Sequence, residues 1–462
     1  MRKHLCAFAL AGVMSLFAQD AEEVFEAASS ENEVNAAQQE VVSADGAASL
    51  NEDMQAVVVV SAGSLLDDAF AQYAKERGIA YGVPDRRGVT YVCGRATVKS
   101  NVSSAEFIKS RTFAYENAYH DALAKLVLDL AGQEMVTSTR EYFLDSSTDA
   151  KEAPKSFMEA KSSTWAKTQA LVEAKLDQAL TGLGVDPAQF DQMKPEQKKN
   201  LFMDRIVKTS LRQGVYASSG FLPVQTFEAR TEDGTYAIGV VLRYDVDTRE
   251  IAKCLYQKKR PAISRASGLT IEEALPEDAD MLTQFGVRLF FDETGMPSLL
   301  SFAQWGSAET STDPRRQERA MEAALKQAEA LANEQLTAFI NSSMRVSESS
   351  EKSESETEDI IFKEGEDPYA EGSVVKIVDR ITEHSSLTAS DSMTGRTTVY
   401  KKVLRHPSGH QVAMVVRRWS FSQLELVNQI KNGKKPDTPA KPAVEAPKKG
   451  DSGVRKGRTY DF

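Results

Sequence analysis

The sequence predicts an α+β protein built as two tandem ββαββ-like repeats, the first enlarged by a helical insertion, flanked by disordered termini. The main observation is that markers recur in one order along the chain. Asp85-x-x-Gly88, Ala96, Ala114/Ala118/Ala122, Arg230-x-x-x-Gly234 and Val240-Val241-x-Arg243 are answered by Asp292-x-x-Gly295, Ala303, Ala320/Ala324/Ala328, Arg405-x-x-x-Gly409 and Val415-Val416-x-Arg418. In addition, the apolar period switches from alternating to helical and back within each set. The offset is 207 residues at the turn, 206 at the helix and 175 at the hairpin, so the first set carries the longer insertion between helix and hairpin.

The elements follow in order. Arg2, Lys3 and His4 precede an apolar run over residues 5–17, and Ala18 offers a small-residue cleavage position, so residues 1–18 read as a secretory signal peptide. The run is shorter than the roughly 20 residues a spanning helix needs. Cys6 stands at its start, where a lipid-bearing cysteine would not be cleaved free. Residues 19–55 hold ten Asp/Glu and no Lys or Arg, with few aromatics, a composition expected to form an acidic disordered linker. The first repeat is assigned to 56–255. Leu65, Leu66, Ala69, Phe70, Tyr73 and Ala74 recur at helical spacing before Gly78, and strands are expected over 79–83 and 89–98 around a turn at 84–88.

A helix is expected over about 104–134, with Ala114, Ala118 and Ala122 stacked four apart so that it approaches a sheet closely. The helical insertion spans 155–214 and breaks at Gly182 and Gly184. Strands over 221–230 and 235–244 then form a hairpin closed by Gly234. Residues 256–270, with Lys258, Lys259, Arg260 and Pro261, read as an exposed connector open to proteolysis. The second repeat, 271–431, is expected to contain strands over 286–292 and 297–305, a helix over 313–341, and hairpin strands over 399–405 and 411–419. A Ser/Glu-rich flexible insertion occupies 343–372 and a Lys/Pro-rich tail occupies 432–462.

Charge and composition narrow the function classes. The chain has 462 residues and a net charge of −11, with nine Lys/Arg against four Asp/Glu over 431–462. The length corresponds to about three domains. A folded body that is mildly acidic makes no case for nucleic acid. No stretch after the leader is apolar enough to span a membrane, and the basic tail could make only weak contact with a membrane surface or wall polymer. Cys93 and Cys254 remain after leader removal; in an oxidising compartment they are candidates for one disulfide, with buried free thiols as the alternative.

The order of strand, Ala-rich helix and hairpin, carried by Gly94, Ala114, Ala118 and Ala122 and again by Gly306, Ala320, Ala324 and Ala328, resembles the small α+β domain of flagellar T-ring assembly proteins and their outer-membrane lipoprotein relatives. That resemblance implies a structural or assembly role in the envelope without catalysis. The chain departs from it in lacking a lipid-bearing cysteine and in its insertions.

Reactive constellations are sparse. His120, His384, His406 and His410 are the histidines after the leader; His406 and His410 bracket a turn, but two imidazoles make an incomplete metal site, so a solvated hairpin tip is expected and no metal. Glu272/Glu273 and Asp278/Asp280 are carboxylate pairs of the kind that cleave glycosides, and are read as solvated turns. Nucleophile-elbow, zinc-protease, phosphate-loop and dinucleotide motifs are absent from the sequence. Arg243 and Arg418 each follow a Val-Val strand core and are expected to pair with carboxylates. With Trp305 and Trp419 they are also the residues that would line a ligand groove between repeats. Tyr460 and Phe462 are candidates for a docking peptide.

These readings lead to an exported, non-catalytic envelope protein without a cofactor, in periplasm, outer membrane or medium, whose partners are envelope proteins or copies of itself. The alternatives are a periplasmic module binding a small ligand or glycan, and a hydrolase of unrecognised type.

Overall fold

The computed structural model describes residues 61–143, 156–217, 220–257, 259–266, 268–341, 376, 395–431 and 455–456. The strands are β1 (Thr90–Thr97), β2 (Leu222–Arg230), β3 (Tyr236–Tyr244), β4 (Gly286–Phe291), β5 (Pro297–Gly306), β6 (Arg396–Arg405), β7 (Gln411–Ser420) and β8 (Arg455–Lys456). Helices in the first part are α1 (Ala62–Arg77), α2 (Phe107–Phe143), α3 (Phe157–Gln169), α4 (Glu173–Gly182), α5 (Pro187–Phe190), α6 (Pro195–Ala217) and α7 (Val246–Gln257). Those in the second part are α8 (Ile271–Ala274), α9 (Asp278–Met281), α10 (Pro314–Asn341) and α11 (Phe421–Lys431). The α+β class stands, in the form of two antiparallel sheets, β1-β3-β2-β8 and β4-β5-β7-β6.

The marker residues become matching local structures. Asp85 and Asp292 each accept the amide hydrogens two and four residues ahead, which lets the chain reverse before Gly88 and Gly295 at φ 75° and 74°. The hairpin turns at 231–235 and 406–410 share one pattern of paired amides and place Gly234 and Gly409 at φ 91° and 94°. Val240 lies on central strand β3 between Gly94 and Thr226, and Val415 lies on central strand β7 between Ala303 and Lys401. Both are fully buried.

Each sheet is backed by its Ala-striped helix. Ala118 and Ala122 of α2 sit so close to β1 that a Cβ on Gly94 would fall 2.9 Å from the Ala122 Cβ and closer still to backbone atoms of both alanines. On the second sheet Ala324 and Ala328 are buried, with Ala324 in one cluster with Ala413 of β7. The other face of the first sheet is covered by α1 through Leu66, Phe70 and Tyr73, which pack on Phe227 and Val241. The helices α3 to α6 extend the core of α2 through Leu176, Phe190, Phe202 and Ile206.

Several expectations are corrected. Residues 79–83 do not form a ladder strand: Tyr81 makes one parallel bridge to Tyr91 and donates its hydroxyl to the Phe70 carbonyl, and Gly82 turns the chain at φ 74°. Residues 56–255 therefore supply three strands to this sheet, and the fourth is β8, from the Lys/Pro-rich tail expected to be disordered. Nor is the connector loose throughout, since the Arg265 amide bonds the Gly295 carbonyl and the Leu269 amide bonds Phe291. The helical insertion comprises α3 to α6, with a further break between α3 and α4 ahead of the expected one at Gly182 and Gly184. The leader, the acidic linker and the insertion at 343–372 lie outside the described residues.

The core crosses from one sheet to the other. One cluster joins Phe107, Leu126 and Val240 to Leu282, Phe285 and Val412, and another joins Leu222, Ile251 and Leu255 to Leu289, Leu336 and Trp419. The described residues accordingly fall in one compact unit starting at Val60.

Candidate functional site

The most concentrated polar chemistry among the described residues is buried between the sheets. Arg111 enters from the second turn of α2, Glu228 from β2, Gln304 from β5 and His406 from the turn joining β6 to β7. Each is at most 3% exposed. The Arg111 guanidinium donates to Gln304 Oε1 at 2.6 Å and to Glu228 Oε1 and the Leu282 carbonyl, while its Cζ lies 4.6 Å from the Phe285 ring centroid. Tyr236 donates its hydroxyl to Glu228 Oε2 at 2.7 Å, and His406 Nε2 stands 3.8 Å from the same oxygen. The Gln304 amide donates to the Leu282 and Gln284 carbonyls, at 3.0 and 2.8 Å, and the Thr112 hydroxyl reaches the Gln304 carbonyl at 3.1 Å.

Burial alone would push the Glu228 carboxyl up. The Arg111 charge, with His406 and the Tyr236 hydroxyl, outweighs it and holds the group well below the usual carboxylate range. Glu228 is thus a fixed anion whose oxygens accept from donors on α2 and β3, with the His406 ring of the β6–β7 turn close by. Chemically it can clamp, because its oxygens face protein rather than an open cleft.

The same turn overturns the solvated hairpin tip. His406 is buried 5.6 Å from the Phe107 ring, and its Nδ1 meets Ser408 Oγ at 2.7 Å. His410 Nε2 meets the Val102 carbonyl at 2.7 Å. The tip docks on the loop and helix that follow β1 because its two imidazoles find an aromatic ring and a backbone carbonyl there. Among the described residues no group of three or more His, Cys, Asp or Glu has a metal-holding arrangement.

The other sequence-selected residues are placed as follows. Arg243 pairs with Asp245 at 2.6 Å, and Asp245 also accepts the Thr248 amide at 2.7 Å to start α7. Arg418 pairs with Asp292 at 3.0 Å over the ring of Phe290. Trp419 is buried edge-on against Phe421 at 4.9 Å, so it forms core instead of lining a groove. Trp305 is half-buried beside Phe113 and borders an open depression of about 450 Å³ with Ala320, Ala324 and Gln327 of α10. The structure therefore does not bring the four together around one groove.

Cys93 and Cys254 are both free, correcting the proposed bridge. Cys93 lies beneath α1 and Cys254 packs in the cluster with Ile251 and Leu289, its thiol 3.4 Å from Glu250. Burial pushes the Cys93 thiol up to about 11, which keeps it protonated near neutrality. Glu273 closes a capping box with Thr270, and Asp278 accepts from Tyr400 at 2.6 Å and Lys402 at 3.0 Å. Tyr460 and Phe462 lie outside the described residues. Arg111, Glu228 and Gln304 were not picked out in the sequence, since no local motif marks them.

Asp292 joins both kinds of feature. Burial would raise its carboxyl, but Thr294, Ser298 and Arg418 together hold it lower. Asp292→Ala removes those bonds and leaves the Arg418 guanidinium without this carboxylate, so a loss of about 2 to 4 kcal/mol is expected by calorimetry. Asp85→Ala, at the matching but open turn, should lose clearly less. Equal losses at the two positions would contradict the assignment.

Comparison with known proteins adds a placement without an activity. Residues 162–257 match a family described as a domain of unknown function, DUF6844. That segment runs from within α3 through the β2–β3 hairpin to the end of α7. The chain is similar to a hypothetical protein from Francisella tularensis whose crystal structure has been solved, at 22% identity, over 81% of this chain and 94% of that one, with a TM-score of 0.49. No curated protein matches the chain.

Proposed function

We propose that this protein is an exported, non-catalytic component of the cell envelope, composed of two copies of one sheet-and-helix module and used for the surface that the joined body presents to envelope partners or to itself. The observation that carries the reading is the buried junction of Arg111, Glu228 and Gln304, which spends its strongest polar groups on fastening one sheet to the other. The side chains repeated between copies point the same way: Asp85 and Asp292 shape turns, and Arg243 and Arg418 are tied to carboxylates. The leader-like start supports export, and the likeness to T-ring and lipoprotein domains supports an assembly role.

Fractionation of the native protein tests it. The expected result is recovery from the envelope, with the intact mass showing removal of about 18 residues from the N-terminus, and cross-linking in that fraction should give assemblies larger than one chain. A cytosolic protein with its leader retained would sink the export reading. Recovery solely as unassociated monomer would sink the assembly role.

A further inference from the structure

Strands β2 and β6 stand in equivalent positions, each the hairpin partner of the central strand β3 or β7, yet their far edges are finished differently. β6 carries Arg396, Lys401, Lys402 and Arg405, and charged side chains of this kind keep a bare edge from pairing with other strands. β2 has the sequence Leu-Pro-Val-Gln-Thr-Phe-Glu-Ala-Arg, buried from Leu222 to Ala229, and its one carboxylate is committed to Arg111. Such an edge lacks charge protection and has to be covered. Its first part is: the Thr226 hydroxyl bonds the Thr283 carbonyl, and Gly286 lies against Pro223. Beyond that, at Phe227 and Glu228, the cover is β8, in antiparallel register with Phe227 opposite Lys456 and Glu228 opposite Arg455.

We propose that the outer edge of β2 at Phe227 and Glu228 is a strand-docking site whose resident occupant is this chain's own C-terminal segment, held by main-chain pairing of Arg455 and Lys456. Charge and chain length favour that occupant. Residues 431–462 hold nine Lys/Arg against four Asp/Glu, whereas the chain as a whole is at −11, so the segment is drawn to the body. A short ladder gains little by itself, since each hydrogen bond is worth about 0.5 to 1.5 kcal/mol net. Tethering changes the balance, because a partner on a linker of this order is present at an effective concentration near the millimolar range. The site thus recognises an extended backbone, and the tail is its built-in ligand. The inference goes beyond the envelope reading and does not depend on it.

Hydrogen exchange on the full chain, read by mass spectrometry, provides the test. Lys456→Pro removes an amide donor and fits poorly in a ladder, and it leaves the sequence of β2 unchanged. Peptides covering 222–230 are expected to exchange on the order of 10-fold faster in this variant, with those covering 396–405 unchanged. The paired substitutions Arg455→Ala and Lys456→Ala keep the main chain and should keep the protection. Unaltered exchange over 222–230 in Lys456→Pro would overturn the docking site, as would acceleration of both edges together. Loss of protection in the double alanine chain would overturn main-chain pairing as its basis.

Discussion

Arg111→Met is expected to lower folding stability by about 3 to 5 kcal/mol in chemical denaturation, because it leaves the Glu228 carboxylate buried without its principal counter-charge. Arg111 and Glu228 are 0% and 1% exposed, so water cannot replace the lost partner. Replacing both, as Arg111→Met with Glu228→Met, should recover most of the loss, since an apolar pair of similar volume removes the stranded charge. A single-variant loss below about 1 kcal/mol would show that the junction does not fasten the sheets. The pH dependence has a definite sign. Glu228 is held below its ordinary value in the folded chain, so the stability it contributes is complete above the unfolded carboxylate range of about 4.3 and is lost as pH falls through the folded value. Glu228→Gln removes that component of the acid sensitivity.

Gly94→Ala should be nearly as damaging, at roughly 3 kcal/mol by the same measurement, because one added methyl meets backbone on the facing helix. The Ala118 carbonyl and the Ala122 amide cannot rotate aside like a flexible side chain; relief requires α2 to lift from β1 and to open the cluster around Ala118, Ala122 and Val240. A wild-type midpoint in Gly94→Ala would mean that the helix rests on the sheet less tightly than its geometry implies. The expected signature is a reduced midpoint with an unchanged denaturant slope, since the folded and unfolded surfaces remain the same.

The contrast between these two positions explains what could be read from the chain. Gly94 and the alanines at 114, 118 and 122 were legible because close helix–sheet contact demands small residues at a fixed spacing. Asp85 with Gly88 and Asp292 with Gly295 were legible because a turn is a local solution that a few residues determine. Arg111 was not, because its partners lie 117 and 193 residues away and nothing in its neighbourhood records their approach. The strand expected over 79–83 failed for a related reason: the turn at 84–88 that suggested it is there, but α1 captured Tyr81 through the Phe70 carbonyl and Gly82 diverted the chain. At 406–410 the turn was right and its surroundings were wrong, since exposure is set by what docks on a loop and not by the loop itself. Trp419 failed likewise, a strand-end aromatic that the packing of α11 turned inward.

The docking of the 406–410 turn on Val102 and Phe107 also sets an order of events. His410 and Val102 are 308 positions apart, so the pocket for the tip exists early in the chain while its occupant emerges near the end. A ribosome that has released only β1 to β3 and their helices has made a half-closed core, with the seats of Phe285 and Val412 still vacant in the cluster around Phe107. Nascent chains should therefore stay compact but unfinished until the last hairpin arrives, and closure should be slow and cooperative, as contacts of such long separation require.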